Sequence, residues 1–112
     1  MNLTRLFCAI GTLILTASAH ANSFTAKDFV ALTEGQQHWW IAGAIEGIGH
    51  MVFLQDEAKA QCVWNWLPSD PAGKKALLLT HMKNHPDRAP SGILIILLQR
   101  ECGKLVIAAN AK

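Results

Sequence analysis

Apolar residues recur along this chain at helical spacing, not in alternation. The clearest case is residues 37–54, where Ile41, Ala44, Ile45, Ile48 and Val52 fall on one stripe. Trp40, Gly47 and Met51 widen that stripe to about half the circumference. Trp39, Gly43, Glu46 and His50 lie on the opposite side. Gly43 and Gly47 each cost helix propensity, so the pattern predicts close approach by another element there. A shorter helix opens at Thr25, with Asp28 at capping-box spacing, carries Phe29, Val30 and Leu32, and stops at Glu34-Gly35. A third has Ser69 or Asp70 as cap and Pro71 in its first turn, and Pro86 bars continuation past His85. Its inner face is Leu78, Leu79 and Met82, and its outer face Lys74, His81 and His85. A fourth starts near Pro90 and runs to Cys102, where Gly103 can end it. Residues 93–98 are apolar on every side of a wheel, which fits a central helix surrounded by the others. A buried strand is the competing reading; length and the proline start favour helix. Residues 55–69, with Cys62, Trp64, Trp66 and Pro68, show no clear period and read as an ordered loop over the core. Residues 104–112 either add a short extended piece or fray. The fold class is all-α: a small four-helix bundle.

Residues 1–21 form a different pattern and read as a secretion signal. Arg5 is a short positive region, residues 6–15 carry no charge, and Ala19-His20-Ala21 places small residues where a signal peptidase reads. A cut after Ala17-Ser18-Ala19 is the alternative. The apolar stretch falls short of the roughly 20 residues that a membrane span needs. Cys8 precedes the apolar region and is not placed as a lipid acceptor. The exported domain then occupies residues 22–112, in the periplasm. Cys8 leaves with the leader, and the two remaining thiols, Cys62 and Cys102, point to one disulfide in that compartment.

Composition narrows the function classes. The 112 residues suffice for one domain. Net charge is +2, and without Arg5 there are 9 basic residues against 8 acidic ones. Lys74-Lys75 is the longest basic run, so a surface that tracks phosphates has no support, and nucleic acid is not expected as a partner. His81 and His85 are four apart on one helix, as two metal-binding imidazoles would be. Met82 stands where the zincin pattern needs glutamate, and no third ligand offers itself, so no metal or cofactor is expected. Glu46 and His50 form a carboxylate–imidazole pair that could do acid–base work, but no nucleophile accompanies it. Ser23, Ser69 and Ser91 sit where helix starts want a hydroxyl, and Cys62 is committed to the bridge. No catalytic residue is assigned. Trp39, Trp64 and Trp66 remain as candidate partner-binding residues, with Glu46 and His50 beside them; Trp39 stands out because it lies opposite the apolar stripe.

The motif Trp40-Ile41-Ala42-Gly43-Ala44-Ile45-Glu46-Gly47, then Cys62, then Asn84-His85-Pro86-Asp87-Arg88, then an apolar helix closing on Cys102, resembles the Tai-type immunity family. Members are periplasmic antidotes to peptidoglycan-cleaving amidases delivered by type VI secretion. The resemblance implies a small helical bundle with disulfides, often dimeric, that acts by binding and not by catalysis. Its implied partner is a secreted cell-wall amidase effector, with a homodimer as a further association and no membrane contact after signal cleavage. A second similarity, on Thr25-Ala26-Lys27-Asp28-Phe29-Val30, Trp39-Trp40 and Lys83-Asn84-His85-Pro86, is to the acid-activated periplasmic chaperones of the HdeA/HdeB kind. In those proteins a cysteine stands inside the first motif, where this chain has Ala26.

Overall fold

A computed structural model describes residues 23–105, and these form five helices and no strand. The expected secretion signal and Cys8 lie outside the described residues, as does the tail from residue 106. The helices are α1 (Ala26–Val30), α2 (Glu34–Phe53), α3 (Glu57–Ser69), α4 (Pro71–Asn84) and α5 (Pro90–Cys102). The all-α class holds, but the expected count of four does not. Residues 55–69 are not a loop. Asp56 caps α3 by accepting the Lys59 N–H at 3.0 Å, and Ala60, Val63 and Trp66 face the core three residues apart. Pro68 obscured that period. It sits in the last turn, where its missing N–H leaves the Trp64 carbonyl without its helical donor, and Ser69 Oγ donates to the Trp66 carbonyl at 2.7 Å there.

Each start has a local chemical cause. Thr25 and Asp28 form a reciprocal capping box on α1, which ends at Val30 instead of running on toward Glu34-Gly35. A second capping box, Thr33 with Gln36, opens α2 three residues earlier than its apolar stripe suggests. Gln37, a buried polar residue, donates through Nε2 to the carbonyls of Phe29 and Val30, both at 3.3 Å, and so closes the end of α1. Asp70 caps α4 by accepting the Gly73 N–H at 3.1 Å, with Pro71 in the first turn. Gly103, at φ 79°, ends α5 in a conformation that side chains disfavour.

The longest contact runs between α2 and α3; α1 lies on α4, while α5 packs against both α3 and α4. Phe29, Ile41, Val52, Val63, Trp66, Leu78, Met82, Leu94 and Leu98 meet in one core. Helix α5 buries Ile93, Leu94, Leu97 and Leu98 but shows Ile96 to solvent, so it is not surrounded on every side. The Cys62–Cys102 disulfide joins α3 to the end of α5, with Cα atoms 5.7 Å apart. The first two backbone N–H groups of α1, at Ala26 and Lys27, donate to Arg88 and Pro86 carbonyls at 2.8 and 3.0 Å. The α4–α5 connection is thereby held against α1.

Candidate functional site

The outer side of α2 carries what the fold does not use. Trp39 is 75% exposed, and Gly43 and Gly47 follow it one and two turns later on the same side. A Cβ built on either glycine meets nothing within 4 Å, so the close approach expected there is absent among the described residues. Met51 is exposed rather than part of the buried stripe, and Trp40 is half-buried. Within α2 the glycine that is approached closely is Gly49, whose Cβ would overlap the Trp64 indole. Helical spacing could not separate these cases, because which side of α2 meets α3 is decided by the packing of both helices.

Glu46 and His50 also stand on this side, His50 Nε2 lying 2.9 Å from Glu46 Oε1 with both side chains about two-thirds exposed. The His50 ring meets the Trp64 ring edge-on at 5.3 Å between centroids, and Phe53 stacks on the same indole at 6.0 Å. A hollow of about 160 Å³ opens beside Glu46 and Trp64, between α2 and α3, with Ala42, Ile45 and Pro68 on its walls. The structure thus brings Glu46, His50 and Trp64 into one patch and sets Trp39 further along the same face. It does not bring Trp66 there. Trp66 is 2% exposed, sits in the core, and has Lys74 Nζ 5.2 Å above its ring, so it offers no surface to a partner. The sequence reading missed Phe53 and Leu54, exposed apolar residues that extend the patch at the end of α2. Leu54, four residues past His50, was legible in principle from the i, i+4 spacing.

Chemically, a solvent-open carboxylate–imidazole pair beside aromatic rings suits recognition: polar groups set orientation and indoles supply contact area. No helix among the described residues is long and apolar enough to cross a membrane, and no three metal-ligating side chains cluster among them. Comparison with protein-family models, curated proteins and solved structures finds no match to this chain.

Proposed function

We propose that this chain is an exported binding protein whose solvent-facing side of α2 docks a peptidoglycan-cleaving amidase effector of type VI secretion and occludes it. The observation that carries the binding role is Trp39, an indole held in water on the face opposite the core, beside two glycines that cost the helix stability and touch nothing. A partner helix or loop could lie over Gly43 and Gly47 with Trp39 as its anchor. The partner class rests on the family resemblance, and the periplasmic location on the leader and the paired cysteines. The test is capture of purified type VI amidases by the oxidised protein, with protection of cells that express the amidase in the periplasm. Trp39→Ala should weaken capture at least tenfold, the loss of a hot-spot side chain, while leaving the thermal midpoint unchanged. Failure to bind any such amidase, or full protection by the alanine variant, would remove this reading.

The acid-stress chaperone is the second reading, resting on the similarity of residues 25–30 and 83–86 to that family, and the α1 cap is the element that acid would act on. Asp28 lies below the usual carboxylate range, because the Thr25 backbone N–H and then the Thr25 hydroxyl bond to it, with Lys27 adding a smaller effect. Protonation of Asp28, and with it the loss of the α1 cap, is therefore shifted to lower pH than for an ordinary carboxylate. Packing that stays unchanged at about pH 2–3 would dismiss this alternative.

A further inference from the structure

A second concentration of charge lies away from the α2 face, where the end of α4 and the connection after it meet α5. Four cationic or protonatable side chains converge on a hollow of about 110 Å³: His81 from α4, His85 at its C-cap, Arg88 from the connection and Arg100 from α5. Its floor is apolar, made of Ile93, Ile96 and Leu97, and Ile96 is 43% exposed. Arg100 Nη1 donates to His81 Nε2 at 3.4 Å, so two of these groups already face one another across the helix pair.

No carboxylate of a described residue comes within ion-pair distance of these four side chains. The carboxylates that do find partners lie elsewhere: Glu101 pairs with Lys74, Glu34 with Lys75, and Glu46 contacts the His50 ring. Glu101 follows Arg100 directly, yet its side chain engages Lys74. Arg88 and Arg100 are both exposed and pair with no described carboxylate, so their guanidiniums have donors free for an anion from solution. The backbone around them is well fixed: the Arg88 carbonyl accepts the Ala26 N–H, and the Arg88 N–H donates to the His85 carbonyl at 3.2 Å. The backbone that carries His85 and Arg88 is therefore held in place against α1.

We infer that this hollow binds a small organic carboxylate carrying a short alkyl stem. A guanidinium fork matches a carboxylate in two parallel hydrogen bonds, which favours this head group over a spherical ion. The hollow exceeds the space of a single water several-fold, room for the head and the start of a stem, and Ile96 offers apolar surface for the remainder. The inference is independent of the amidase-binding reading.

The experiment is a backbone amide NMR titration of the oxidised full-length protein with hexanoate, with hexanol and inorganic phosphate as the probes that lack head or stem. Hexanoate should give saturable shifts centred on His81, Ile96, Leu97 and Arg100, with half-saturation below about 10 mM. Hexanol and phosphate should each bind about tenfold more weakly. Arg100→Gln and Arg88→Gln, both at exposed positions, should each weaken hexanoate about tenfold without changing the rest of the spectrum. Ile96→Ser should weaken hexanoate and leave phosphate unaffected. Linear, unsaturated shifts, equal binding of phosphate, or unchanged affinity in both arginine variants would overturn the inference.

Discussion

Gly43 and Gly47 stand in open solvent inside α2, where each gives up roughly 1 kcal/mol of helix propensity relative to alanine. Gly49, two residues on, is pressed against the Trp64 indole. Identical residues in one helix therefore carry opposite predictions. Gly43→Ala and Gly47→Ala should each stabilise the isolated protein by about 0.5–1 kcal/mol in urea unfolding, since the added methyl meets nothing. Gly49→Ala should destabilise it by about 1–3 kcal/mol, because Trp64 must move off a packed position. If the outer face of α2 docks a partner, the first two substitutions should also weaken capture while they raise stability. Stability that falls at Gly43 would mean a neighbour the helix pairings do not show. These contrasts were only partly legible beforehand: the sequence marks all three glycines as costly in a helix, but not which of them lies beneath an indole.

At the scale of the elements, short chemical signals did most of the work. Thr25 with Asp28, Pro71 after Asp70, and Pro90 before an apolar run each mark a helix start that the structure keeps. The third helix in chain order was hidden because Pro68 and the polar residues Gln61 and Asn65 break up its stripe. Its Asp56 cap was nonetheless in plain view. The α1 capping box carries a pH prediction. Asp28 is held below its ordinary value by the Thr25 N–H and hydroxyl, so its contribution is complete above the unfolded value near pH 4 and is lost as pH falls through the lower folded value. Asp28→Asn should lower stability at neutral pH and flatten the decline on the acid side, as read by circular dichroism from pH 6 down to about pH 2. A decline with the same slope in both proteins would place the acid-sensitive group elsewhere.

For the whole molecule, the decisive constraint is the bridge between Cys62 and Cys102, forty residues apart in sequence. Closing a loop of that length should contribute about 4 kcal/mol through the entropy of the unfolded chain, a large share of the stability of a small domain. The Cys62→Ser, Cys102→Ser double variant should lose about that amount in denaturant midpoints, and reducing agent should have the same effect on the parent. Equal stability with and without reductant would show that the helices need no fastening. The pairing was readable because only two cysteines lie beyond residues 1–21, which read as a secretion signal, and so was the all-helical class, because period and caps are local properties of the chain. The outward position of Trp39 was readable for the same reason: a helix has only one side to give to its core. What contact between distant segments decided was different in kind. It put Trp66 inside while Trp64 stayed at the edge, left Gly43 and Gly47 uncovered, and drew Arg88 and Arg100 to one hollow. Side chains far apart in sequence acquire a common environment only when the helices that carry them have chosen their packing faces, and no local pattern encodes that choice.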